Sequence, residues 1–296
     1  MNNGNRDVFI YLLIDNGLLQ GTSASCTEAD SKSRPGWLVP VYTEPALSVS
    51  PLLVDIEAAY EAGDLDQVMC WINALKPGLH VSIIETRLSI SEMARHLRQF
   101  IFILDPQGSQ FTLRYADCAV LASLPLLLTG PQWSTISGPI IRWDIHDRSG
   151  ALIHLPSVEG DASGSTPLSL DEDQLAAIDD ASEPDHYIAK VKMMRNGVAL
   201  PGTAAEHHAW ALSARETWRV SGNSNLLFLL FLTEAALVSR GDVVHRREVQ
   251  GFLAMDEVSA FRIRLRELVR EGMERRNRTS RSEITNEKST MDVFFI

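Results

Sequence analysis

The sequence has few of the features that most enzyme classes and metal sites require. Only three of its 296 residues are cysteines, and Cys26, Cys70 and Cys118 lack the spacing of a metal site. An odd number of scattered cysteines is typical of free thiols in a reducing compartment. The chain contains no glycine-rich phosphate loop, no G-x-S-x-G nucleophile elbow and no H-E-x-x-H metal helix. It therefore offers no catalytic, cofactor-binding or metal-ligating residue to assign.

Positive charge and long apolar runs are also scarce. The 27 Lys and Arg residues are outnumbered by 38 Asp and Glu residues, and a net charge of −11 argues against a general nucleic-acid binder. The most apolar stretch, residues 226–238, contains Thr233 and Glu234 and is too short to span a bilayer. Residues 8–14 lack the cleavage site of a signal peptide and are predicted to form a first strand. These features lead us to expect a cytoplasmic protein.

The most informative stretch is residues 96–148, which begins with a predicted β-hairpin. The apolar run 100–104 is followed by Asp105-Pro106-Gln107-Gly108, a sequence that favours a type I turn. Beyond the turn, Phe111, Leu113 and Tyr115 alternate with polar residues, which predicts a second strand with one buried face.

A short helix and another strand are predicted after the hairpin. Asp117 is placed to cap a leucine-rich helix that Pro125 should end or kink. After the break at Gly138-Pro139, we expect a strand with Ile141, Trp143 and Ile145 on one buried face.

Two capping boxes mark helix starts earlier in the chain, at Asp64 with Gln67 and at Ser89 with Glu92. A strand is predicted between these two helices, at residues 80–86. Strands that alternate with helices, together with a hairpin, indicate a mixed α/β lobe.

The second half of the chain has a helical pattern. Nine carboxylates and no Lys or Arg lie between Glu159 and Asp185, which suggests either a solvated linker or an acidic docking surface for a basic partner. Residues 226–239 are apolar nearly all round and predict a buried central helix. A last amphipathic helix is expected to end near Gly272.

The predicted fold class is therefore an α/β (mixed α+β) N-terminal lobe followed by an all-α C-terminal lobe. The predicted organisation is a mixed lobe at 1–156, an acidic linker at 157–169, a helical lobe at 170–272 and a polar, flexible tail at 273–296.

Some residues invite a chemical interpretation, and each has a structural alternative that we favour. His207 and His208 are adjacent, so on a helix they point about 100° apart and would not converge on one metal ion. Asp105, Arg114 and Asp117 are explained by turn, strand and cap positions. The remaining candidates are scattered histidines that suit single structural hydrogen bonds, namely His80, His96, His146 and His154.

Eight arginines and three glutamates lie between Arg262 and Arg281. Arginines of this kind can hold phosphates. No aromatic platform is interleaved with them, so intramolecular pairing or a protein interface is the favoured interpretation.

The order of these motifs resembles one bacterial family, the effector adaptors or chaperones of the type VI secretion system. The resemblance rests on the helix ending His-Leu-Arg-Gln-Phe, the Asp-Pro-x-Gly hairpin, Arg114-Tyr115-x-Asp117, Gly138-Pro139 and Arg142-Trp143. Two earlier segments agree, Tyr11 to Asp15 and Ser50 to Asp55. It covers roughly residues 8–150, whereas the C-terminal half is similar only in being helical.

The resemblance implies a cytoplasmic adaptor that binds a toxic effector and helps load it onto the VgrG spike. It also implies that the protein is not an enzyme and needs no cofactor. Its partner-binding residues remain unknown. Two alternatives stay open, namely a hydrolase or transferase whose site is assembled from distant residues, and a nucleic-acid-binding regulator that uses the arginine-rich helix.

Overall fold

The computed structural model describes residues 8–20, 22, 34–43, 46–157 and 166–291. The chain forms two compact units, Met1–Ala181 and Ser182–Ile296. A mixed lobe built on an antiparallel sheet is followed by an all-helical region, so the predicted fold class is confirmed. Cys26, residues 158–165 of the predicted acidic linker and residues 292–296 of the predicted tail lie outside the described residues.

The first unit contains nine strands among its described residues, interspersed with short helices. In chain order these elements are β1 (Phe9–Asp15), α1 (Asn16–Leu19), β2 (Leu38–Pro40), β3 (Pro51–Asp55), α2 (Ile56–Glu61), α3 (Leu65–Ile72), β4 (Val81–Thr86), α4 (Ile90–Arg98), β5 (Phe102–Leu104), β6 (Gln110–Thr112), α5 (Cys118–Leu121), α6 (Leu124–Leu127), α7 (Gly130–Ser137), β7 (Ile140–His146), β8 (Leu152–His154), β9 (Leu168–Ser169) and the start of α8 (Glu172–Met194). The main sheet has the order β2-β3-β1-β4-β7-β8, and each neighbouring pair in it is antiparallel.

Both faces of the main sheet are covered, which explains why β1 is apolar at successive positions. Tyr11 and Leu13 belong to an apolar cluster on one face, together with residues of α4 to α7. Leu12 and Ile14 point to the other face, where they join residues of α2 and α3. Successive side chains of a strand alternate between faces, so a strand that is buried on both sides needs an unbroken apolar run.

The predicted hairpin is present as β5 and β6, with Phe102 paired to Thr112. Its turn is closed by the Gly108 amide, which donates to the Asp105 carbonyl oxygen at 3.0 Å. Gly108 has φ of +80°, a conformation that glycine adopts at little cost. Phe111 was predicted on the buried face but is 46% exposed, because β6 is an outer strand that ends one residue before Leu113.

The strand after Gly138-Pro139 is present as β7, with one correction to its predicted buried face. Trp143 and Ile145 are 2% and 0% exposed, as predicted, but Ile141 is 40% exposed. The pairing with β4 shifts between Glu85 and Thr86, where Arg142 opposes Glu85 and Ile140 opposes Thr86. This β-bulge inserts Ile141 as an extra residue, so the inward position passes to Ile140.

One of the two predicted capping boxes is formed. Ser89 accepts from the Glu92 amide and Glu92 accepts from the Ser89 amide at the start of α4. Asp64 precedes α3 but makes no capping hydrogen bond. Its carboxylate instead accepts from the Trp37 indole Nε1 at 2.9 Å, which ties the start of α3 to the loop before β2.

The division between the units lies within α8, downstream of the predicted linker at 157–169. Strand β9 pairs in parallel with β5, and Leu168 and Leu170 are buried in the first unit. Ile178 of α8 packs against the same apolar cluster. Residues 168–181 therefore belong with the sheet, because their apolar side chains are buried there.

The second unit consists of the end of α8, followed by α9 (Ala204–Val220), α10 (Leu226–Ser239), α11 (Glu248–Leu253) and α12 (Val258–Met291). Helix α10 is the predicted central helix. Its Phe228, Leu232 and Ala236 join the cluster formed with α12, while Leu237 joins Ile188, Val191 and Ala211 on the side of α8 and α9.

The last helix was predicted to end near Gly272, and this prediction is wrong, because α12 continues to Met291. A single glycine within a helix costs only about 1 kcal/mol. Ion pairs four residues apart favour continuation, with Glu271 and Arg275 at 3.6 Å and Glu274 and Arg278 at 3.9 Å. Among the described residues, no helix combines the length and apolar character needed to cross a membrane.

Candidate functional site

The polar residues of the first unit that invited a chemical interpretation hold the fold together. Asp15, which is 4% exposed, ends β1 and caps α1 by accepting from the Leu18 amide at 3.1 Å. Its second carboxylate oxygen accepts from Arg114 Nη2 at 2.9 Å, so the segment after the hairpin is fastened to the end of β1. Asp117 caps α5 through the Ala119 amide.

Asp105 stabilises the turn in which it lies. One of its carboxylate oxygens accepts from the Gln107 and Ser109 amides at 2.9 and 2.7 Å. Asp105 and Asp117 thus occupy the turn and cap positions that the sequence indicates. Arg114 was predicted on a strand, but β6 ends at Thr112, and Arg114 instead pairs with the distant Asp15, which local patterns did not predict.

The four histidines of the first unit have separate partners. Nε2 of His80 is 2.8 Å from the Trp71 carbonyl oxygen, and Nε2 of His96 is 2.7 Å from that of Ile136. His146 faces the Val81 carbonyl oxygen at 3.4 Å, and His154 lies 3.0 Å from the Asp144 carboxylate. Burial lowers the pKa of His80 and of His96, which disfavours the protonated form of both rings.

Cys118 lies next to this histidine region but has the properties of a structural thiol. Its side chain is 0% exposed and donates to the Val81 carbonyl oxygen at 3.3 Å. Burial raises the pKa of the Cys118 thiol to about 12. A nucleophilic cysteine requires the opposite shift, because the thiolate is the reactive form.

His207 and His208 in α9 do not converge. Nε2 of His207 is 2.9 Å from the Pro201 carbonyl oxygen, whereas His208 is 3.9 Å from the Asp185 carboxylate. Across the part of the chain that the structure describes, no group of three or more His, Cys, Asp or Glu side chains is arranged to hold a metal ion.

The second unit has a groove of about 430 Å³ between α10 and α12, which we call the α10/α12 groove. Phe231, Ala235 and Val238 of α10 form one side of its apolar floor. Leu265, Val269 and Met273 of α12 form the other side. An adjoining depression shares Phe231 and adds the half-buried or exposed Met194, Val198 and Leu230, so the apolar surface extends past the end of α8.

A row of arginines borders this apolar floor. Arg262, Arg266 and Arg270 follow one another at four-residue spacing along α12, so they lie on one side of the helix, about 6 Å apart along its axis. The Arg262 guanidinium lies over the Phe231 ring, 4.4 Å from its centroid. We call these three residues the arginine row.

The glutamates of α12 do not neutralise the arginine row. The glutamates of α12 whose side chains the structure describes each pair with another arginine, in the pairs Glu267–Arg264, Glu271–Arg275 and Glu274–Arg278. Glu234, at the groove, faces Arg195 at 3.9 Å. Within the described residues, Arg266 and Arg270 have neither an ion pair nor a side-chain hydrogen bond, and Nε of Arg262 is buried without an acceptor.

The net negative charge of the protein comes entirely from the first unit. Residues 1–181 contain ten Lys and Arg against 23 Asp and Glu, a net charge of −13. Residues 182–296 contain 17 against 15, a net charge of +2. The second unit is therefore weakly basic although the whole protein has a net charge of −11. The arginine row is a local excess of positive charge within this unit.

The arginines of α12 can be identified from the sequence, but the groove cannot. The four-residue spacing of the row was a visible signal, whereas the floor needs α10 to pack beside α12, which no local pattern shows.

A family model described as Domain of unknown function (DUF4123) matches residues 10–135, from β1 into α7. The match lies within the first unit, and the α10/α12 groove is outside it. The comparisons with curated proteins and with solved structures returned no match.

Proposed function

We propose that this protein is a cytoplasmic adaptor, or chaperone, that binds an effector of the type VI secretion system and helps load it onto the VgrG spike. One observation carries the proposal. The DUF4123 model covers residues 10–135, the same part of the chain in which the order of motifs resembles the type VI adaptors.

The character of the surfaces supports a binding role. The buried Asp15 caps α1 and pairs with Arg114, the rings of His80 and His96 contact backbone carbonyl oxygens, and the Cys118 thiol has a pKa that keeps it protonated. The helical unit instead presents an apolar groove bordered by charged side chains. An apolar centre within a polar rim is the usual anatomy of a protein interface.

The two units suggest a division of labour. The family-like first unit would contact the secretion machinery that is shared among adaptors, and the helical unit would contact the individual cargo. An exchange of residues 182–296 between two such adaptors should then transfer the choice of effector. If the choice follows residues 1–181 instead, the assignment of roles is wrong.

Co-purification is the direct test. The tagged full chain is co-expressed with the product of a neighbouring toxin-like gene and with a neighbouring VgrG-like protein. We expect a complex that survives size-exclusion chromatography, and an effector from an unrelated secretion cluster serves as the matched control.

A folded protein that retains neither partner, or one that retains the unrelated effector equally well, would refute the adaptor role. Turnover of a small-molecule substrate by the purified chain would favour a hydrolase or transferase.

A further inference from the structure

We propose that the α10/α12 groove binds an acidic amphipathic helix of a partner protein, with apolar side chains on the floor and carboxylates against the arginine row. That this partner is the effector rests on the function proposed above.

The floor and the row together define the chemistry of the occupant. Leu265 and Val269 are already buried, so the exposed apolar surface of the floor comes from the half-buried Phe231 and Val238 and from Met273, which is 45% exposed. This surface gains free energy when a partner removes it from water. Arg266 and Arg270 stand beside that surface without carboxylate partners among the described residues. A guanidinium at the edge of a dry interface forms its strongest contact with a carboxylate, through paired hydrogen bonds.

The spacing and the backbone chemistry favour a helical occupant over an extended one. A helix carries carboxylates four residues apart at about 6 Å intervals, which equals the axial spacing of the arginine row. An extended segment would also need partners for its backbone N–H and C=O groups. The backbone groups of α10 and α12 are engaged within their own helices, so the groove offers no sheet edge.

The same observations disfavour nucleic acid as the occupant. Single strands bind to exposed aromatic platforms along a basic channel. Here the Phe231 ring is already covered by Arg262, most of the floor is aliphatic, and the helical unit carries a net charge of only +2.

The test uses the full chain and fluorescein-labelled peptides of about 18 residues, long enough to span the row and to form a helix on the surface. The first peptide carries leucines on one helical face and glutamates at i, i+4 and i+8 beside them. A second peptide replaces the glutamates by glutamine, and a third keeps the composition but scatters the order. Labelled oligothymidylate serves as the nucleic-acid probe, and fluorescence anisotropy gives Kd.

We expect the acidic amphipathic peptide to bind about tenfold more tightly than either control peptide. The charge-reversed variant R266E/R270E should lose about tenfold or more in affinity. R264E is the matched control, because Arg264 lies on α12 outside the groove and pairs with Glu267 at 3.3 Å. It should bind within about twofold of the wild type. Circular dichroism and thermal melting verify that both variants are folded.

Three results would overturn the inference: equal affinity for R266E/R270E and wild type, equal affinity for the glutamine peptide, or tighter binding of the oligonucleotide. The outcome is separable from that of the adaptor proposal. If R266E/R270E still retains the effector, the groove is not the effector site although the adaptor role stands. If the peptide binds as expected but neither effector nor VgrG co-purifies, the binding of an acidic helix in the groove is supported and the adaptor role is refuted.

Discussion

Trp143 offers the sharpest test of the first unit's core. Its ring is 2% exposed and stacks on Trp133, with centroids 6.2 Å apart and planes 16° apart. Its indole Nε1 donates to Ser82 Oγ at 3.0 Å. Replacement of a buried tryptophan by alanine removes transfer free energy and leaves a cavity, which costs about 3–5 kcal/mol. The lost partner of the fully buried Ser82 hydroxyl puts Trp143→Ala near the upper end of that range.

The free energy of unfolding is measured by urea titration of the full chain, followed by far-ultraviolet circular dichroism. Trp143→Phe keeps a ring but removes the indole donor, so it should cost about 1–2 kcal/mol. Ile141→Ala is the control on the same strand, because the bulge turns that side chain outward, and it should cost less than about 1 kcal/mol. Equal losses for Trp143→Ala and Ile141→Ala would contradict the packing described here. Wild-type stability together with lost partner binding would place Trp143 at an interface.

Three further predictions concern single groups. Burial lowers the pKa of His80 and His96, whereas histidines in the unfolded chain titrate near about pH 6.5. The unfolded state therefore binds more protons in acid than the folded state does. The temperature of the thermal midpoint should decrease as the pH is lowered from about 7 to about 5. His96 keeps its lowered pKa in the variant His80→Gln, so this change should flatten the profile only in part, and a wild-type midpoint independent of pH would refute the assignment. Iodoacetamide at about pH 8 should alkylate the exposed Cys70 but should not alkylate Cys118 until urea is added, because Cys118 is buried and its pKa is raised to about 12. Peptide mass mapping gives the two rates, and equal rates would show that Cys118 is accessible to solvent. Ser89→Ala should lower the free energy of unfolding by about 1 kcal/mol, because it removes the cap of α4. Ser89→Asp should keep the cap, since an aspartate side chain can accept the same hydrogen bond. An alanine variant as stable as the wild type would mean that the cap contributes nothing to stability.

Features that depend on a few neighbouring residues could be predicted from the sequence. The turn at Asp105 to Gly108, the Asp117 cap and the capping box at Ser89 all form as predicted. Each uses groups within four residues of one another, so the chemistry that decides the local conformation is contained in the pattern itself.

Features that depend on a distant strand or helix could not be predicted from the sequence. The Ile141 side chain lies on the exposed face because of a bulge in the pairing of β7 with β4. Asp64 does not cap α3, and its carboxylate accepts a hydrogen bond from the Trp37 indole. The arginines of α12 were expected either to pair within the protein or to form a protein interface, and several pair within the protein, whereas those of the arginine row do not. Which arginines remain without a carboxylate depends on side-chain placement around a helix that packs on α10, and residue counts do not contain that information.

The strand order of the main sheet has a consequence for how the protein emerges from the ribosome. β1 is an interior strand, and β3 joins it on one side while β4, β7 and β8 follow on the other in the order of synthesis. Chains are made from the N-terminus at about 5–20 residues per second, which is slow compared with hairpin formation. Each of these later strands therefore reaches an edge that already exists. β2 is made before β3 but pairs only with β3, so it joins the sheet once β3 is in place, and no strand has to enter between two strands that are already paired. The first unit can thus assemble as it is translated, before the arginines of α12 have left the exit tunnel.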